Sequence, residues 1–173
     1  MPLPGAFIIK LPYSQDRRGS FTKIFQDSVL RAHGISFKLE ESYYSVSKMN
    51  VIRGMHFQKP PHQHAKIVFC SQGSILDVVL DLRKDSGTYG QHFATILSDT
   101  NQLAYYIPEG FAHGFKALTD NVITQYLVSS EYNKEADSGV LYNSFGMDWQ
   151  CAQPILSDRD MSFESLSLFD TPF

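Results

Sequence analysis

Residues 66 to 82 read KIVFCSQGSILDVVLDL, and the fold class follows from how this stretch divides. The run from Lys66 to Cys70 is apolar, and Ser71-Gln72-Gly73 then marks a turn. From Ser74 to Leu82 the side chains alternate in character, and Arg83-Lys84-Asp85-Ser86-Gly87 ends the run as a solvated turn. Period-two alternation sends successive side chains to opposite faces of a pleated strand. Working outward, similar short runs lie at Ala6–Leu11, His92–Leu97, Gln102–Ile107 and Val122–Val128, closed by Ser98-Asp99, Pro108 and Ser129-Ser130. The 13 Phe and 9 Tyr fit the same pattern, because aromatic rings favour half-buried pleated surfaces. Short strands at this spacing predict an all-β sandwich or barrel.

Helix is scarce. Ser28–Ala32 before Gly34 reads as one short helix capped by Asp27 or Ser28, and Asp158–Leu168 holds another turn or two. With 173 residues and neither repeats nor linker, residues 1–173 are expected to form a single domain with an N-terminal arm and a C-terminal tail on a β-core. The tail's SLFDTPF is apolar enough to pack on that core or on a partner subunit.

Composition removes several function classes. A charged fraction of 19% with 43% apolar residues is that of a globular protein. No apolar run nears the roughly 20 residues that span a bilayer. The opening MPLPGAFIIKLPYSQD lacks a basic segment before a long apolar one, so no signal peptide is expected and the expected location is cytoplasmic. A net charge of −3 lacks the basic footprint of a nucleic-acid binder. Cys70 and Cys151 form no metal or redox motif.

Chemistry concentrates in Arg53–Lys66, RGMHFQKPPHQHAK, which holds His56, His62 and His64, and in Pro108–Phe115, PEGFAHGF, which holds His113. One reading is a metal site of His62, His64 and His113, since imidazoles from a hairpin and a later strand build Zn, Fe or Mn centres. His62-x-His64 and Pro108-x-Gly110-x-x-His113 resemble the two cupin signature motifs. In metal cupins a Glu ligand follows the paired histidines; here Ala65, Lys66, Ile67, Val68 and Phe69 follow. A protonated lysine has no lone pair to offer a cation. The other reading is proton transfer, with a histidine as base near neutral pH and a lysine on the developing oxyanion. Inversion of a carbon then needs an acid on its opposite face, which a neutral tyrosine supplies.

Six motifs occur in order: Arg18-Gly19-x-Phe21, Arg53–Gln58, Pro60-Pro61-x-x-x-Ala65-Lys66, Asp77–Arg83, Ile107–Phe115 and Leu156–Asp160. Through them the stretch from Asp16 to Asp160 resembles the dTDP-4-dehydrorhamnose 3,5-epimerase family, cupin-fold enzymes of nucleotide-activated deoxysugar synthesis. The resemblance implies a cupin-type jelly-roll β-sandwich or barrel with short peripheral helices. It implies a metal-independent epimerase inverting C3, C5 or both of a nucleotide-linked 4-keto-6-deoxy sugar, for surface polysaccharide or antibiotic sugars. It gives His56 the role of base, Asp160 that of its partner, Lys66 a place at the C4 oxygen and Tyr126 that of acid. Arg53 and His113 line the pocket, and Arg18 contacts phosphates across a homodimer interface. No cofactor is implied, because the ketone itself makes the neighbouring C–H acidic. Read singly, Asp160 is equally a turn residue or helix cap, Tyr126 a core residue, and Gly110 and Gly114 turn glycines. A non-catalytic cupin sugar-binding module is the remaining alternative.

The departures from the family pattern fall at the nucleotide end. Where the family carries Gln-x-Asn-x-Ser-x-Ser, this chain has Glu41, Tyr43, Ser45 and Ser47. After Arg18, Phe21 is kept but an acidic position is Lys23. Such changes of charge predict a nucleotide other than dTDP, with CDP or GDP as candidates.

Overall fold

A computed structural model describes residues 3–173. In chain order the elements are β1 (Phe7–Lys10), β2 (Tyr13–Asp16), β3 (Gly19–Thr22), α1 (Asp27–Ala32), β4 (Glu41–Ser47), β5 (Ile52–Gln58) and β6 (Lys66–Gln72). There follow β7 (Ser74–Asp81), β8 (His92–Ser98), β9 (Leu103–Ile107), β10 (Phe111–Ala117), β11 (Val122–Val128), β12 (Asp137–Gly139) and α2 (Asp158–Met161). They form two five-stranded sheets, in the orders β1-β9-β6-β11-β4 and β12-β5-β10-β7-β8, while β2 and β3 pair only with each other. Every pairing between these strands is antiparallel. The result is a cupin-type jelly roll.

Alternation along the strands explains the layers. Val68, Cys70, Tyr105, Ile107 and Val128 of the first sheet meet Ile75, Val79, Leu97, Phe111 and Phe115 of the second in one core. The opposite phase of the first sheet, Ile67, Phe69, Tyr106 and Leu127, packs under Leu30 of α1 and Phe37. The opposite phase of the second, Val78, Leu80, Met55 and Phe57, packs under Val140, Phe145 and Trp149. The C-terminal tail closes that outer layer, with Phe169 and Phe173 meeting Phe57 edge-on at centroid distances of 5.6 and 5.5 Å. The tail therefore packs on its own core.

Several expectations change in detail. Gln26, not Asp27 or Ser28, stands at the N-cap of α1 and makes no side-chain cap bond, while Asp27 is used in an ion pair with Arg31. Only Asp158–Met161 of the second predicted helix is helical. The turn at Arg83 is less solvated than its charge predicts. Asp81 is fully buried and accepts hydrogen bonds from Arg83, Ser86 and Thr88, which hold its carboxyl down at about 2 although burial alone pushes it up. Among the described residues no helix is long and apolar enough to cross a membrane.

Candidate active site

The geometry of the site begins with an irregularity in β5. Its register against β10 runs His113↔His56 and then Phe115↔Arg53, so β5 holds one extra residue across that interval. A bulge resets the alternation. Arg53 and His56 consequently both line a cavity of about 370 Å³ between the sheets, while Ile52 and Met55 join the outer core. Glycine makes the close approach possible. A Cβ on Gly54, at φ +143°, would come within 2.5 Å of Gly114 Cα, and one on Gly114 within 2.8 Å of Arg53 O. Gly114 thus serves contact inside a strand rather than a turn.

His56 is held from outside the cavity. Its Nε2 lies 2.7 Å from Asp160 Oδ1, and Asp160 Oδ2 accepts the Gly54 N–H at 3.1 Å. Ser157 caps α2 by accepting the Asp160 N–H, so Asp160 is not the cap and its carboxylate is left for His56. Burial works to raise the Asp160 carboxyl, but the hydrogen bonds from His56, Gly54 and Ser157 hold it below its usual range. Burial lowers the His56 imidazole below its ordinary value and outweighs the opposing pull of Asp160; Lys66 and Arg159 add to the lowering. A neutral ring that donates Nε2–H to Asp160 carries its lone pair at Nδ1. The His56 side chain keeps 28% exposure on the cavity side against 5% for Asp160.

Lys66 comes from the other sheet, on the inward phase it shares with Val68 and Cys70. It is buried, donates to the His56 carbonyl at 3.2 Å, and is lowered by burial to about 8. Tyr126 on β11 also points inward, and burial pushes its hydroxyl far above the ordinary phenol value. Tyr43, directly opposite in the β4–β11 register, stacks on it at 4.7 Å with planes 21° apart. Burial, then Glu41 and Asp137, push the Tyr43 hydroxyl up to about 12. A second pair stands behind: His113 Nε2 lies 2.8 Å from Asp77 Oδ2, both buried, and the His113 ring meets Tyr126 edge-on at 6.0 Å.

The three histidines of the metal reading go to different partners. His62 Nε2 is 3.3 Å from Asn133 Nδ2, Gln58 donates to His64 Nδ1 at 3.1 Å, and His113 pairs with Asp77. Burial, with Lys66 and His113 adding to it, lowers His64 to about 3. Among the described residues no three His, Cys, Asp or Glu side chains are grouped to hold a metal ion.

The structure brings His56, Lys66, Tyr126, Arg53, His113, Glu41, Tyr43 and Ser45 to one cavity, with Asp160 behind His56. It does not bring Arg18, Phe21 or Lys23 there. These sit on or just after the β2–β3 hairpin, where Arg18 is 84% exposed and paired with Asp16, and Phe21 is 64% exposed. Sequence reading gave no role to Gln58, Asp137 and Arg159, which line the cavity, or to Asp77. For Asp77 a signal existed: a carboxylate on the apolar phase of β7, between Ile75 and Val79, needs a buried partner. At the mouth, Glu41 Oε2 accepts the Tyr132 N–H at 2.7 Å, and Arg159 pairs with Asp137 at 2.7 Å.

Ionisable side chains from both sheets of a cupin jelly roll thus converge on one interior space, which is the layout of an enzyme of that fold. Residues 1–167 match the family described as dTDP-4-dehydrorhamnose 3,5-epimerase. The dTDP-4-dehydrorhamnose 3,5-epimerase of Methanothermobacter thermautotrophicus is 38% identical over 169 residues, covering 95% of this chain and 91% of that one. The dTDP-4-dehydrorhamnose 3-epimerase of Streptomyces niveus is 37% identical, covering 91% and 78%. The crystal structure of dTDP-4-dehydrorhamnose 3,5-epimerase from Bacillus anthracis, with TDP and PPi bound, superposes with a TM-score of 0.91 at 38% identity, covering 94% of each chain. The chain belongs to the dTDP-4-dehydrorhamnose 3,5-epimerase family and is a sugar epimerase of deoxysugar biosynthesis.

Proposed function

We propose that the chain inverts C3, C5 or both of a nucleotide-linked 4-keto-6-deoxy sugar, with His56 as base. The observation that carries this reading is the His56–Asp160 pair on one wall of the cavity with Lys66 and Tyr126 on the opposite sheet. His56 Nδ1 takes the proton from the carbon beside the C4 ketone, and the electron pair moves through a new C=C bond onto the C4 oxygen. The Lys66 ammonium stabilises that oxyanion, where a cation in a low-dielectric site acts most strongly. Tyr126 donates its hydroxyl proton to the opposite face of the same carbon, and proton exchange with solvent then restores both groups. C3 and C5 both flank C4, so one base serves either centre. Turnover in deuterium oxide, read by mass and NMR, is expected to place solvent deuterium at C3, C5 or both; no incorporation at either carbon rejects the mechanism.

The nucleotide end is read as differing from that of the dTDP-specific relatives. Glu41 keeps Oε1 beyond its bond to Tyr132 N–H, an acceptor suited to a donor on the ligand. Tyr43 spends its ring on Tyr126 rather than presenting an amide. CDP- and GDP-linked 4-keto sugars are therefore proposed as substrates; clear preference for dTDP in a binding comparison removes this part. The working form is proposed to be a cytoplasmic homodimer in which the β2–β3 hairpin carries Arg18, Phe21 and Lys23 to a partner's cavity. The hairpin's separation from both sheets and the exposure of Phe21 support this. A monomer at working concentration in analytical ultracentrifugation would overturn it.

A further inference from the structure

A base acts on one C–H only if its lone pair is aimed, and a single hydrogen bond aims an imidazole poorly. The bond from His56 Nε2 to Asp160 fixes one atom of the ring. The ring still turns about its Cβ–Cγ bond, and such a turn moves Nδ1 out of line with the cavity. Geometry of this kind is worth orders of magnitude in rate.

A second contact restrains the pivot. The Phe163 ring meets the His56 ring edge-on, with centroids 5.8 Å apart and planes at 72°. Phe163 is itself wedged. A Cβ on Gly139 would fall 2.4 Å from Phe163 Cε2 and 2.6 Å from Cζ, so the ring lies in the space a side chain at 139 would fill. Gly139 is the residue paired with His56 across β12 and β5. The segment after Phe163 is tied down where Leu141 N–H donates to Glu164 O and Leu166 N–H donates to Ser144 Oγ, each at 2.9 Å. On the near side, the Arg159 guanidinium lies 5.2 Å from the Phe163 ring centroid while ion-paired to Asp137.

We propose that Phe163 is a positioning residue: wedged on Gly139, its ring fixes the plane of the His56 imidazole so that Nδ1 stays aimed into the cavity. One short segment thus supplies both restraints, the Asp160 carboxylate in the ring plane and the Phe163 ring across it. The inference rests on the reading of His56 as base.

Phe163 also keeps water from His56. The charged and titratable groups around His56 are Asp160 and Arg159 on α2, Lys66 on β6, His113 on β10 and Asp137 on β12. Removing the ring deletes none of these five groups; it weakens the burial that lowers His56 and loosens the hold on Arg159, which lowers it too. The acid limb of the rate profile then moves to higher pH, toward the ordinary imidazole range.

The test compares wild type with Phe163→Ala and Phe163→Leu in deuterium oxide, using as probe whichever of dTDP-, CDP- and GDP-4-keto-6-deoxyglucose wild type binds most tightly. Expected for Phe163→Ala are a kcat lower by about 10- to 50-fold, a KM within about threefold, and an acid limb raised by about half a pH unit. Phe163→Leu, which refills part of the space without a flat ring, falls between. A second measurement needs no turnover: histidine-selective NMR reads the His56 tautomer and titration in each protein. Wild type is expected to hold the Nε2–H tautomer, and Phe163→Ala to mix tautomers. Wild-type kcat with an unmoved acid limb in Phe163→Ala overturns the proposal. So does a kcat loss that only follows a fall in melting temperature. If Phe163→Ala does not fold, the same criteria apply to Phe163→Leu. If wild type exchanges no deuterium, the proposed reaction fails, and an unchanged His56 tautomer in the variants still sinks the positioning role separately.

Discussion

The inner end of the cavity and the β2–β3 hairpin carry comparable sets of polar and aromatic side chains, held in different ways. At the inner end each group is held by a buried partner on another element. His56 rests on Asp160, His113 rests on Asp77, and Lys66 donates to a carbonyl of the facing sheet. At the hairpin, Arg18 has only Asp16 two residues away, and Phe21 lies in solvent. Exposed ion pairs of that sort contribute little, because water and salt screen them. The difference teaches where one chain completes its chemistry and where it leaves recognition unfinished. Proton transfer needs lone pairs placed to a fraction of an ångström, which buried strands provide. Nucleotide recognition, which the proposed function gives to the hairpin, needs less exact placement.

The comparison breaks or sharpens by mutation, beginning with the largest expected effect. His56→Ala is expected to lower kcat by about 10³- to 10⁴-fold while sugar-nucleotide binding, followed by calorimetry, persists. Retained turnover would remove the inner end from the chemistry. Lys66→Met is expected to cost about 10²- to 10³-fold in kcat, the scale of a lost oxyanion donor.

The pH profile of kcat/KM sharpens the same point. His56 sits below its ordinary value of about 6.5 and must be neutral to act, so activity is lost as pH falls through that lowered value. Lys66 sits at about 8 and must be charged, so activity is lost as pH rises through it. A bell between these limbs is expected, and Lys66→Arg should push the basic limb upward because a guanidinium does not deprotonate there.

Asp160→Asn is expected to reduce kcat by about 10- to 100-fold and to cost about 1–3 kcal/mol of stability, because the carboxylate also accepts the Gly54 N–H. Thermal melting alongside kinetics separates the two losses. The smallest effect belongs to the hairpin: Arg18→Ala should raise KM by about three- to tenfold at low salt, with kcat nearly unchanged and the difference shrinking as salt rises. A kcat loss in Arg18→Ala as deep as that of His56→Ala would erase the contrast between the two regions.

Two strands of the inner end were legible from the chain because strand character is a local property. Lys66–Cys70 and Val122–Val128 were legible as strands, but both phases of KIVFC are apolar; the places of Lys66 and Tyr126 came from the family resemblance and their inward direction from the fold. The strands β4, β5 and β10 were harder. Their polar and glycine-rich runs, such as Arg53-Gly54-Met55-His56, carry motifs where apolar alternation would otherwise show. The bulge in β5 has no local signal, since it exists only in the register against β10. Gln58 and Asp137 end strands and Arg159 lies in the short α2, and nothing local marks them for a site until three separate segments meet there.

By itself the sequence determined the strand content, the scarcity of helix, and the order of motifs that marks the family. All of these follow from side-chain period and local chemistry. Only the tertiary structure decided that Asp77 serves His113 and set the distance at which Asp160, expected from the resemblance, meets His56. Asp160 reaches His56 across 104 positions and Asp77 reaches His113 across 36. It also decided that His56 turns Nε2 to Asp160, and that Phe163 lies beside it in the space left by Gly139. The physical reason is common to these cases. A hydrogen bond or a ring contact depends on separations of a few ångströms between segments distant in the chain, and those separations are set by sheet register and packing, not by neighbouring residues.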